Sequence, residues 1–315
     1  MSKPRIHSHS AVLRSIVVVI IIFFSIAGIF SCRRSYHPEE KKLLVAVGIY
    51  PLAEWVHIIG GDHVSVTVLI PPDTDPYRYR LPEESAAALP ACDLYFKIGR
   101  GLDDWGDEPV NNASGGKTSI VWLARDLPRI SAYEPGIGHR PELIETIDPH
   151  VWLDPLAVQD MALHIAQELT RLRPEAESYF IANAERYMRD LNDLHIWISS
   201  RLQNLNHREF VGLHSSFIYF AHRYNLKLVK VIQIEQGKEP SDSWLDEVAV
   251  ALNSMQHKII IAEDNVDSAI AERLAQETAS EVLFLETMGN PNDLRENTYI
   301  SLMRHNTERL VSALK

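Results

Sequence analysis

Pro174-Glu-Ala-Glu-Ser-Tyr-Phe-Ile-Ala-Asn-Ala-Glu-Arg-Tyr-Met-Arg-Asp-Leu-Asn-Asp-Leu-His-Ile-Trp-Ile-Ser-Ser-Arg-Leu-Gln-Asn204 is a long segment with no Gly and no Pro after its first residue. Phe180, Ala184, Tyr187, Leu191, Leu194 and Ile198 recur at three- and four-residue spacing, which makes one apolar stripe on a helix. Pro174 suits its start, because the first helical turn has no use for the missing N–H. A helix over residues 175–204 reaches about 45 Å at 1.5 Å per residue. That is longer than one small lobe, so the segment predicts a spine that joins two.

Each side of the spine follows one plan. Upstream, the apolar run Leu43–Ile49, the alternating run His63–Ile70, and the runs Asp93–Gly99 and Ser119–Trp122 predict strands. Between them, Pro82–Leu89 and Leu102–Trp105 predict short helices. A Pro- and Gly-bearing loop fills 126–149, and a helix follows Pro155 to about Arg171. Downstream, strands are predicted at Glu209–Leu213, Lys227–Val231, Lys258–Ala262 and Val282–Leu285. Helices are predicted over Ser216–Tyr224, from Ser241, from Val266 and over Asp293–Leu314. Alternating strands and helices mean parallel sheets covered by helices. The expected fold is α/β: two lobes, each a parallel sheet flanked by helices, joined by one long helix. The expected boundaries are 43–174 for the first lobe, 175–206 for the linking helix and 207–315 for the second lobe.

The N-terminus reads as an address. Lys3, Arg5 and Arg14 precede the apolar run Ile16–Phe30, followed by Ser31-Cys32. A basic region, a short apolar core and a small residue describe a secretory signal over 1–31. The apolar run falls short of the roughly 20 residues a membrane-spanning helix needs. Ile29-Phe30-Ser31-Cys32 resembles a bacterial lipobox, with Phe30 bulkier than usual there. This predicts lipidation of Cys32, a tether over 32–42 and an extracytoplasmic protein held to a membrane. Retention of the segment as an anchor helix is the other reading. Cys92 is the one remaining cysteine, so no disulfide framework exists; its apolar context predicts a buried small hydrophobe.

Of 315 residues 46% are hydrophobic, enough for two lobes or one large domain. Lys and Arg number 31 against 42 Asp and Glu, a formal charge of −11. An acidic surface argues against nucleic acid as a partner, because phosphate contacts need Lys and Arg.

Ligands of open parallel sheets sit past the C-terminal ends of strands. His214 directly follows the strand ending at Leu213, and Glu286 directly follows the one ending at Leu285. His150 is held between Pro149 and Pro155. Two imidazoles and a carboxylate on firm lead-ins suit Zn, Mn or Fe. With 14 His in the chain, spacing alone selects none of them. His57, His164, His195, His222, His257 and His305 lie on predicted helices or their ends, and His139 alone marks the 126–147 loop.

Asp148-Pro-His-Val-Trp-Leu-Asp-Pro155, Leu213-His-Ser-Ser-Phe-Ile-Tyr-Phe-Ala221, Glu239-Pro-Ser241, Phe284-Leu-Glu-Thr-Met-Gly289 and Thr298-Tyr-Ile-Ser-Leu-Met-Arg-His-Asn306 together carry a resemblance. From about Leu43 to Leu314 the chain is similar to the zinc/manganese/iron-type solute-binding lipoproteins of ABC transporters, some of which are called adhesins. The resemblance implies one transition-metal ion in the interlobe cleft, a permease as partner, a monomer, and no enzymatic activity. It also implies ligands at His150, at His214 and at Glu286, where the family more often has Asp. Nitrogen at 214 leans to zinc over manganese.

One position departs from the pattern. Asp75-Pro-Tyr-Arg-Tyr79 aligns where the family places its first His, and here that residue is Tyr77. Three readings stand: Tyr77 ligates as a phenolate and favours Fe(III), water fills the fourth position, or the site is weakened. Two other classes compete with transport: an adhesin-like or structural lipoprotein with a vestigial site, and a metal-dependent hydrolase using the open coordination face. No His-Glu-x-x-His, Gly-x-Ser-x-Gly or phosphate-cradling loop supports the hydrolase.

Overall fold

The computed structural model describes residues 41–72, 74–131, 147–234, 238–264 and 266–315. The signal segment, Cys32, nearly all of the tether, and His139 with most of its loop lie outside the described residues. No helix among those described is long and apolar enough to cross a membrane.

The first sheet is built from β1 (Leu43–Val47), β2 (Val64–Val68), β3 (Leu94–Lys97) and β4 (Ser119–Trp122). They pair in parallel in the order β2-β1-β3-β4. The second sheet uses β5 (Glu209–Gly212), β6 (Lys227–Val231), β7 (Ile259–Glu263) and β8 (Glu281–Leu285) in the matching order β6-β5-β7-β8. The duplicated plan expected from the sequence is thus two copies of one strand order. In each copy the order reverses beside the first strand, the place where parallel sheets open a crevice at their C-terminal edge.

Period-two alternation places the side chains. Val45, Val47, Leu94 and Phe96 enter the main core, while Ala46 and Tyr95 face the other way into a small cluster with Leu69, Cys92 and Val110. Cys92 is buried there as expected, and burial, with Asp93 adding to it, pushes its thiol up to about 11.

Helices α1 (Tyr50–Gly60), α2 (Glu83–Ala87), α3 (Asp107–Ser114) and α4 (Pro155–Leu172) belong to the first half. Tyr50-Pro51, directly after the apolar run Leu43–Ile49, has the chemistry of a turn. The structure instead puts Pro51 in the first turn of α1, where a proline is tolerated. Leu102–Trp105 was expected to be a helix and is replaced by a 3-10 turn at Asp104–Gly106 that leads into α3. That helix escapes a periodicity search because Val110 is its one buried residue. Asp107 and Glu108 favour its N-terminus, and Gly115 ends it at φ 62°.

The spine is α5 (Glu177–Leu202), 26 residues and about 39 Å long, entered through a 3-10 turn at Pro174–Ala176. Its predicted stripe of Phe180, Ala184, Tyr187, Leu191, Leu194 and Ile198 is buried in the main core. That core also takes side chains from both sheets.

The second half adds α6 (Ile218–Tyr224), α7 (Asp242–Ser254), α8 (Ala269–Thr278) and α9 (Tyr299–Leu314). Ser241 caps α7. Residues 290–298 are turns and bends rather than the start of α9, whose true start is fixed by a reciprocal Thr298–Ser301 capping box.

Candidate metal centre

Sequence reasoning nominated Tyr77, His150, His214 and Glu286. The structure brings the first two into contact: Tyr77 Oη lies 3.1 Å from His150 Nε2. His150 opens a short 3-10 turn (His150–Leu153) and is buried. Its orientation comes from Asp148, whose Oδ1 accepts from the His150 backbone N–H at 2.8 Å and faces Nδ1 at 3.1 Å. A carboxylate only accepts, so Nδ1 carries the hydrogen and Nε2 presents its lone pair to the Tyr77 hydroxyl.

His214 is also buried, just past β5. Gly212 permits the tight lead-in, since any Cβ there would strike the His214 carbonyl. Glu263, the last residue of β7, holds His214 Nδ1 at 3.2 Å, and the Ser216 hydroxyl bonds its other oxygen. Gln233, just past β6, places Oε1 2.7 Å from His214 Nε2. Burial by itself would depress the His214 pKa. The Glu263 carboxylate and the Gln233 oxygen outweigh it and raise the value above the ordinary imidazole 6.5. Burial would likewise raise Glu263, yet His214 and the Ser216 hydroxyl hold it below 4.5. Both shifts describe one buried ion pair.

The two histidines are tied together. Asp148, which orients His150, accepts from the Ser215 hydroxyl at 2.5 Å, and Ser215 adjoins His214. Each imidazole therefore has a carboxylate on Nδ1 and an oxygen on Nε2, the arrangement of a metal-ligating His with its outer partner.

Glu286 stands apart from this pair. Its Oε1 accepts from the backbone N–H groups of Thr287 (2.8 Å) and Met288 (2.7 Å), which leaves Oε2 for a cation. Burial raises its pKa, the two amides oppose the shift, and Glu296 and Asp264 add to it. Among the described residues, no three His, Cys, Asp or Glu side chains stand close enough to hold an ion by themselves.

The Asp148–Pro155 motif does more than supply a histidine. Asp148 bonds Ser215, Trp152 Nε1 donates to Thr287 O at 2.8 Å, and Asp154 takes a two-point bond from Arg223 at 2.7–3.0 Å. Asp154 also caps α4 through the Leu156 N–H. All three cross-links run from the first half to the second, and the middle one lands beside Glu286. From below, Arg100 and Tyr219 hydrogen-bond each other at 2.8 Å and both donate to the Asp148 carbonyl.

Sequence reasoning missed Asp148, Glu263 and Gln233 as site residues. Asp148 lay inside the quoted motif, and Glu263 and Gln233 follow apolar strands at the edge where His214 and Glu286 were found. The same strand-end signal points to them.

The chain is 23% identical over 306 residues to the high-affinity zinc uptake system protein ZnuA of Bacillus subtilis, covering 95% of this chain and 96% of that protein. It is 24% identical over 304 residues to the manganese-binding lipoprotein MntA of Halalkalibacterium halodurans, covering 95% and 97%. A crystal structure of ZnuA superposes with a TM-score of 0.76 at 26% identity, over 87% of this chain and all of that one. A mutant structure of the laminin-binding adhesin Lmb of Streptococcus agalactiae gives 0.75 at 26% identity, covering 86% and 99%. Residues 45–313 match the family described as ZnuA, zinc-uptake complex component A, periplasmic, and the chain belongs to that family.

Proposed function

We propose that this protein captures one divalent transition-metal ion outside the cytoplasm and delivers it to the permease of an ABC transporter. One observation carries the reading: two buried imidazoles, each oriented by its own carboxylate and linked through Asp148 and Ser215, turn Nε2 toward replaceable oxygens. The relatives named for zinc uptake and manganese binding support the same reading. His150 Nε2, His214 Nε2 and Glu286 Oε2 form the proposed ligand set. Tyr77 Oη, bonded to His150 Nε2, gives way as the ion takes that nitrogen. Two nitrogens favour zinc, with manganese and iron as weaker cargoes. Cys32 carries the lipid that holds the protein to the membrane. The lobes span 43–174 and 207–315, with 175–206 between them. Three cross-links through one motif and a single stiff spine permit modest rocking, so release requires the permease to distort one half's ligands.

Elemental analysis of the purified mature protein, then competition titration with zinc, manganese and iron, tests this. One equivalent of metal, tightest for zinc and lost in His150→Ala and in His214→Ala, is expected. Full affinity in both variants contradicts it.

A further inference from the structure

Gln233 sits in this centre with no role assigned to it. Its backbone is fixed: Gln233 N–H donates to Leu213 O at 2.9 Å and Ile232 N–H to Gly212 O at 2.8 Å, extending the β5–β6 pairing past both strand ends. His214 is the very next residue after Leu213. The two residues are thus carried on one rigid two-strand platform, and their side chains meet at 2.7 Å.

The atoms that meet decide the chemistry. His214 Nδ1 is engaged by Glu263, so Nε2 is the nitrogen left for an ion. The group poised at that nitrogen is a neutral amide. An ion bonded to Nε2 at about 2.0–2.1 Å releases the Nε2 proton to solvent, and the Gln233 side chain swings back from its 2.7 Å contact so that Oε1 turns to the cation. An amide oxygen needs no deprotonation to ligate, whereas a phenol hydroxyl must lose its proton to ligate as a phenolate.

We infer that Gln233 Oε1 is the fourth ligand of the ion and sets its hard-versus-soft preference. The inference rests on the metal-capture reading above. It makes the site His150, His214, Glu286 and Gln233, with Tyr77 as a cover and not a corner. An amide oxygen admits manganese more readily than a third imidazole would, because carbonyl and carboxylate oxygens suit that harder ion.

The test compares wild type, Gln233→Ala and Gln233→Glu, loaded with zinc and with manganese in competition with a chromophoric chelator. Cobalt(II) absorption then reports the coordination of the same site. Gln233→Ala is expected to bind both metals at least about tenfold more weakly and to alter the cobalt spectrum. Gln233→Glu, which keeps an oxygen, restores binding and moves preference toward manganese. Equal or tighter binding in Gln233→Ala with an unchanged cobalt spectrum overturns the inference and makes Gln233 a latch over His214. The capture reading survives that result, because wild type still binds and His150→Ala does not. Absence of metal from wild type itself removes both.

Discussion

Asp148→Asn separates orientation of His150 from simple space-filling, because the two side chains share one shape. Asp148 is 2% exposed. Its Oδ1 serves the His150 backbone and ring, and its Oδ2 accepts from Ser215 at 2.5 Å. The amide keeps an acceptor at Oδ1 but removes the charge, reducing bonds worth about 1.5–3 kcal/mol to about 0.5–1.5 kcal/mol each. At the other end NH2 replaces an acceptor, so the Ser215 hydroxyl must rotate and move outward to N–O distance. Across these bonds the expected loss of stability is about 2–3 kcal/mol. Urea unfolding should show a lower midpoint at unchanged slope. Zinc affinity should fall by about 10- to 100-fold, the usual consequence of removing the outer partner of a ligating His. A variant as stable as wild type with full affinity would refute the claim that the charge of Asp148 and its bond to Ser215 support His150 as a ligand.

Metal affinity should weaken on acidification from a pH above 6.5, since the His214 pKa is raised and the ion needs the neutral ring; equal affinity at pH 8 and pH 6 would contradict this. In the metal-free protein the same pair stabilises the fold in a window. The His214 contribution is full below 6.5 and fades as pH rises through its raised value, while that of Glu263 is full above 4.5 and fades as pH falls. Unfolding of Glu263→Gln should therefore differ most from wild type between about pH 4.5 and 6.5. Trp152→Phe leaves the Thr287 carbonyl without its donor and should cost about 1–3 kcal/mol in urea unfolding, with a loss of metal affinity through Glu286; unaltered stability would show that the cross-link is idle. Glu54 accepts from the Tyr299 N–H at 2.6 Å, and burial, opposed by that bond, lifts its pKa to about 7. Its ionised form destabilises the fold as pH rises from 4.5 through 7, so Glu54→Gln should stabilise by at most about 3 kcal/mol at pH 8 and by nothing near pH 4.

The sheets and the spine were legible because their signals are local. An apolar run such as Ile259–Ala262 or a stripe such as Leu191, Leu194 and Ile198 states its burial within a few residues. Helix α3 was not legible, because one buried valine gives no period and what marks it is acidic first-turn residues and a terminating glycine. The start of α9 was misplaced because Thr298–Ser301 capping, not apolar content, ends the preceding turns. In the centre, His150 and His214 could be nominated from a motif and a strand end. Their partners carry the same motif and strand-end signals, but which of them meet could not be read, because the Asp148–Ser215 and His214–Glu263 bonds join residues 67 and 49 positions apart. Gln233 lies only 19 positions from the ring it touches, and that contact is made by the β5–β6 pairing that sets the two strand ends side by side.

The central claim is that one ion unites His150 and His214. Anomalous diffraction from crystals of the zinc-loaded protein, measured on both sides of the zinc edge, tests it most directly. A single strong peak about 2.0–2.1 Å from Nε2 of both histidines is the predicted result. A peak bonded to only one of them, or zinc confined to other side chains, would contradict it.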